Sequence, residues 1–193
     1  GADNDRINGG NGNDTIDGQG GDDVIQTGLG QDVVIWNGAG DGVDTIEESA
    51  GAQELRVMGD SAADTFRVDS NLRLLRVTEG VASITVSNST NEVSILGGNG
   101  NDTVTVTSID DVRQLRLVID GQGGNDTLTA MNARLGGVLL EMRGGDGDDT
   151  ITGSRDRETL SGDAGDDSLS GGESNDILNG GTGNDVLNGG LGN

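Results

Sequence analysis

The sequence predicts an all-β fold, a solenoid of stacked repeats, on three observations. A nine-residue unit recurs in fixed register, only 31% of the 193 residues are apolar with aromatics at 1%, and the net charge is −23. A chain so poor in apolar residues cannot build a globular core of ordinary thickness. With 34 acidic against 11 basic residues it also resists compaction unless something cationic enters the fold.

The unit reads two glycines, a free position, a third glycine, a free position, an aspartate, a free position, a large aliphatic residue and a free position. It is complete in residues 9–17 (GGNGNDTID), 97–105 (GGNGNDTVT), 144–152 (GGDGDDTIT) and 180–188 (GGTGNDVLN). Closely spaced glycines let the backbone visit positive φ and approach a ligand, so the first six residues read as a turn with inward carbonyls. The last three read as a short strand whose aliphatic residue points inward while its neighbours point out. One such unit cannot bury its single Ile, Val or Leu, but stacked coils can.

These repeats resemble the calcium-binding nonapeptide repeats of the RTX family. The resemblance implies a parallel β-roll (a β-helix-like solenoid) in which two units make one coil and each ion sits between successive turns on one edge. The donor inventory agrees with calcium: without His or Cys, zinc is disfavoured, whereas carboxylates and carbonyls suit a hard cation. Also by resemblance, the glycine positions supply carbonyls beside the aspartates. The expected ligands of several Ca2+ ions are Gly10, Gly12 and Asp14; Gly21 and Asp23; Gly28, Gly30 and Asp32; Gly42 and Asp44; and Gly98, Gly100 and Asp102. They continue with Gly124 and Asp126; Gly145, Gly147 and Asp149; Gly165 and Asp167; Gly172 and Asp176; and Gly181, Gly183 and Asp185. Gln19 and Gln122 replace the second glycine and Ser174 the third, while Ser154, Asp156 and Glu158 all deviate in one unit, weakening it as a site. Asp64, in a unit with alanines where glycine is needed, reads as structural rather than ligating.

In chain order, Asp5, Asp14, Asp23 and Asp32 recur every nine residues with Ile7, Ile16, Ile25 and Val34 as their aliphatic partners. The next unit is aligned as 39–47 (AGDGVDTIE), on Asp44 rather than Asp41, because only that choice keeps the Asp-Thr-Ile signature. Residues 48–96 lose the motif and read as longer, mostly ion-free coils. The gap of 38 residues from Asp64 to Asp102 would hold two coils of about 19 each. Over 97–152 the aspartates stand 24 and 23 residues apart, so each coil carries one calcium turn and one longer ordinary turn, such as 107–114 or 130–137. From 153 to 193 the nine-residue rhythm returns, with Leu160, Leu169, Leu178 and Leu187 at buried strand positions. One edge then carries Asp5, Asp23, Asp44, Asp64, a blank, Asp102, Asp126, Asp149, Asp167 and Asp185; the other carries Asp14, Asp32, Glu158 and Asp176. That makes about ten coils at the strand spacing of ~4.8 Å. The expectation is one continuous body over 1–193; two short rolls flanking an unrelated β-domain over 48–96 is the alternative.

No His, Cys or Tyr leaves only carboxylates and hydroxyls for chemistry, so a non-catalytic protein is expected. The negative field repels nucleic acid, and no apolar run approaches the roughly 20 residues of a membrane span. Because the repeat is entered and left mid-unit, the chain is expected to be part of a larger polypeptide. The resemblance implies a secreted, extracellular bacterial protein exported unfolded by type I secretion and folded by calcium outside. A recognition module of an adhesin, reading a cell-surface or polysaccharide ligand through residues 48–137, is one alternative. An accessory module of an extracellular lipase, protease or epimerase is another. Trp36 reads as a strand filler and the arginines as charge balance. An ice-binding array is set aside because the outward positions do not keep one residue type.

Overall fold

The computed structural model describes residues 1–35, 43–47, 54–59, 64–71, 74–79, 82–86, 92–107, 109 and 115–192. Among these there is no helix, hence none long and apolar enough to cross a membrane. The N-terminal strands are β1 (Arg6–Asn8), β2 (Thr15–Asp17), β3 (Val24–Gln26), β4 (Val33–Ile35) and β5 (Val43–Glu47). The middle contributes β6 (Glu54–Met58), β7 (Thr65–Asn71), β8 (Leu74–Glu79) and β9 (Ala82–Val86). Then follow β10 (Glu92–Asn99), β11 (Thr103–Val106), β12 (Arg116–Gly123), β13 (Thr127–Thr129), β14 (Leu139–Asp146) and β15 (Thr150–Thr152). The last are β16 (Glu158–Ala164), β17 (Ser168–Ser170), β18 (Ile177–Thr182) and β19 (Val186–Asn188).

An eleven-stranded sheet runs β1-β3-β5-β9-β8-β7-β11-β13-β15-β17-β19. A six-stranded sheet, β18-β16-β14-β12-β10-β6, and the pair β2-β4 form the other wall, with β4 against β6. The result is a parallel β-solenoid: Val104, Leu128, Ile151, Leu169 and Leu187 fall in one register column, and Ile95, Ile119, Met142, Leu160 and Leu178 in another. Each aliphatic residue thus stacks on its equivalent in the next coil. The interior ones are buried completely, each contributing about 1.5–3 kcal/mol. The final coil differs from expectation. Leu178 is only half-buried and Leu187 is 47% exposed, against 1% for Leu169, which has Leu187 stacked on it.

The middle departs further. The blank expected between Asp64 and Asp102 does not exist: β7 pairs parallel with β11, β6 pairs parallel with β10, and the Asp64 amide donates to Asp102 Oδ1 at 2.7 Å. The residues assigned to that coil instead form β8 and β9, antiparallel to β7 and to each other, and β9 then pairs parallel with β5. Only two residues separate β7 from β8 and two separate β8 from β9. A parallel crossover needs a dozen or more, so these connections dictate hairpins.

The outward positions are also more regular than expected. Thr103, Thr127, Thr150 and Ser168 align in one column, and Thr105, Thr129, Thr152 and Ser170 in a second.

Candidate calcium turns

Nine of the described units, those opening at Gly9, Gly18, Thr27, Gly97, Gly121, Gly144, Gly162, Gly171 and Gly180, bend through two left-handed residues. In the unit of β14, Gly145 and Gly147 have φ of 113° and 127°, a region closed to residues with a Cβ. A Cβ on either would also come within 2.1 Å of a backbone carbonyl of the coil below, Gln122 or Gly124. Gly10, Gly12, Gly21, Gly28, Gly30, Gly98, Gly100, Gly124, Gly165, Gly172, Gly181 and Gly183 share this backbone. The replacements do not abolish it. Gln19, Gln122, Asp163 and Ser174 take φ of 63–74°, close to the left-handed minimum open to ordinary residues. Two are braced: Asp17 Oδ1 accepts the Gln19 amide at 2.9 Å and Asp120 Oδ1 the Gln122 amide at 3.1 Å.

The first glycine of the unit has a role that the motif did not reveal. A Cβ on Gly144 would stand 2.0 Å from Asp149 Oδ2, and the same conflict arises at Gly121 with Asp126, Gly162 with Asp167 and Gly180 with Asp185. Its recurrence at one position was the available signal; the carboxylate folded back over it was not legible.

The aspartates form a ladder. The amides of Asp5, Asp102, Asp126, Asp149 and Asp167 donate to Oδ1 of Asp23, Asp126, Asp149, Asp167 and Asp185, each in the next coil, at 2.7–3.1 Å. On the other edge Asp14 donates likewise to Asp32. A second, exposed ladder runs beside the first in the opposite sense, the Asn125, Asp148, Asp166 and Asn184 amides donating to Oδ1 of Asn101, Asn125, Asp148 and Asp166 in the preceding coil.

The remaining oxygens of the main ladder are the chemically telling ones. Oδ2 of Asp14, Asp32, Asp126, Asp149, Asp167 and Asp176 is buried and accepts no hydrogen bond. Burial raises the Asp126, Asp167 and Asp176 carboxyls above the usual range and pushes Asp149 up to about 7, against the lowering effect of the amide each accepts. An unanswered buried carboxylate costs several kcal/mol, and a hard cation removes that cost. The donor set fits calcium: oxygen only, with no grouping of three or more carboxylates among the described residues, so backbone carbonyls would complete a shell of six to eight.

Three expected positions stand apart. Gly42 lies outside the described residues, as does Trp36. Asp44 falls in β5, where the Thr45 amide donates to the Asp23 carbonyl at 2.8 Å, the register expected from aligning the unit on Asp44. Asp64 keeps its ladder position under Gly59, although residues 60–63 of its turn lie outside the described set. Among the arginines, Arg116 bridges Glu92 at 2.9 Å and also Glu141, which Arg143 shares, as charge balance predicts.

No curated protein and no solved structure matches this chain. The family model of the RTX calcium-binding nonapeptide repeat (4 copies) matches residues 1–34, 93–108, 118–132, 141–169 and 161–193, together well over half of the chain. Repeat, register and donor chemistry therefore converge with that match, and the chain belongs to the RTX calcium-binding nonapeptide repeat family.

Proposed function

We propose that this chain is a non-catalytic, calcium-loaded module of a secreted bacterial protein, a spacer that folds when calcium binds. The observation that carries it is the line of buried Oδ2 atoms accepting no hydrogen bond, in a chain of net charge −23. Asp126, Asp149, Asp167 and Asp185 on the main edge, and Asp14 and Asp32 on the other, would hold the ions with carbonyls of the left-handed glycines. Calcium supplies positive charge there; the aspartates, held by the neighbouring coil's amides, supply preformed oxygens. Without it, like charges and a thin core favour an open, glycine-rich chain, so binding free energy becomes folding free energy. Weak sites of the extracellular type stay empty inside a cell and fill outside, which suits type I export. We read residues 1–193 as one body, since β9 and β7 join the middle strands to both flanking blocks.

Recognition of a polysaccharide or cell-surface ligand is the second reading, favoured by the two aligned hydroxyl columns on β11, β13, β15 and β17.

Titrating calcium into chelated protein while recording far-UV circular dichroism tests the first reading. A coil-to-β transition is expected; full β signal in excess chelator would sink it.

A further inference from the structure

We infer that the turn of residues 153–158 is a metal-free staple in which Ser154 hydrogen-bonds both Glu158 oxygens, leaving none of the free carboxylate oxygens that the aspartate turns offer a cation. This rests on the reading that the unanswered aspartates elsewhere take calcium.

The unit reads GSRDRE where its neighbours read GGDGDD and GDAGDD. Neither Ser154 nor Asp156 is left-handed, so the bend that recurs in the other turns is absent. Glu158 is one methylene longer than aspartate and reaches back within its own turn. The Ser154 amide donates to its Oε2 at 2.9 Å and the Ser154 hydroxyl to its Oε1. Glu158 is 2% exposed, as buried as the ladder aspartates, yet both of its oxygens are answered by protein donors. The free, buried carboxylate oxygen that Asp126, Asp149 and Asp167 each offer an ion is therefore absent here.

The same turn is tied to both neighbours by protein groups alone. Toward the preceding coil, Asp156 Oδ2 accepts the Leu135 amide at 2.8 Å, and an Arg155 Nη2 donates to Asn132 Oδ1 at 3.3 Å. Toward the following coil, Arg157 Nε donates to the Asn175 carbonyl at 3.1 Å, and the Ser174 hydroxyl to the Arg155 carbonyl at 2.8 Å. The Glu158 amide donates to Asp176 Oδ1 at 3.0 Å, keeping the ladder in register. Arg155 and Arg157 bring to this turn the positive charge that the complete glycine turns lack. The staple therefore adapts the ordinary turn of residues 130–137 below it to the glycine turn of residues 171–176 above it.

Counting bound calcium by equilibrium dialysis tests the inference on the full chain. Glu158→Gln should leave the count at the wild-type value, whereas Asp126→Asn should lower it by at least one. Rebuilding the motif with Ser154→Gly, Asp156→Gly and Glu158→Asp together should raise the count by at least one. A lower count for Glu158→Gln, or no gain in the triple variant, overturns the staple. A wild-type count of zero is a different failure, that of the calcium reading at every turn, and it overturns the staple with it.

Discussion

The two edges of the coils between Asp102 and Asp167 close by different chemistry. On one, the glycine turn repeats four times and leaves a carboxylate oxygen of Asp126, Asp149 and Asp167 buried with no hydrogen bond. On the other, residues 130–137 bury Ala133 and Leu135 in the core, and residues 153–158 satisfy Glu158 from within. Both edges serve the same two walls of stacked aliphatic residues. The difference teaches that the same strand register is kept over turns of different chemistry: a glycine turn with a free buried carboxylate oxygen, a carboxylate hydrogen-bonded within its own turn, or an apolar plug.

The comparison breaks most severely at Gly144. Replacing it with Val drives a side chain into the space of Asp149 Oδ2, 2.0 Å from where its Cβ would stand. The variant should lose about 4 kcal/mol or more and show no calcium-induced β signal where the wild type folds. Wild-type circular dichroism from this variant would mean that the carboxylate does not occupy the turn.

Next in size is Asp126→Ala, which removes a buried acceptor for the Asp102 amide together with a charge. Urea unfolding in saturating calcium should register a loss of about 3 kcal/mol. Equal midpoints for variant and wild type would count against the ladder.

The metal-free state sharpens the contrast through pH. Burial raises Asp126, Asp167 and Asp176 and pushes Asp149 and Glu158 up to about 7 in the folded chain. The folded state then holds protons that the unfolded chain has released. Its stability is fully present below the ordinary carboxyl range and is lost as pH rises through about 7. Chelated protein should therefore gain β signal on acidification from about pH 8 to about pH 5. A signal that stays flat or falls contradicts the burial of these groups.

The smallest effect belongs to the ordinary turn. Asn132 holds a left-handed backbone at φ 63° and its Oδ1 accepts from Arg155, so in Asn132→Gly the relieved turn and the lost hydrogen bond should offset to within about 1 kcal/mol and leave calcium affinity unchanged. A shift in affinity read by titration calorimetry would show that the two edges are not independent.

Much of this was legible because repetition makes register readable. The spacing of Asp102, Asp126, Asp149, Asp167 and Asp185 put these residues on one edge, and aligning on Asp44 gave the observed pairing of β3 with β5; the amide-to-carboxylate ladder that joins them was not legible. Spacing arithmetic failed between Asp64 and Asp102, where 38 residues fit two coils as well as they fit one coil plus two hairpin strands. The discriminating feature was local: strand-like runs parted by two residues can only reverse direction. Sequence showed that residues 153–158 had lost the glycine turn, but not that Ser154 replaces what was lost, because a hydroxyl four residues from a glutamate carries no pattern of its own.

The central claim is that calcium lines the ladder of aspartates and avoids the staple. Anomalous diffraction from crystals grown in calcium tests it most directly. The account predicts peaks against the free oxygens of Asp126, Asp149 and Asp167, with none against Glu158 and none within residues 130–137. Peaks of equal height on both edges of these coils, or none along the ladder, would contradict it.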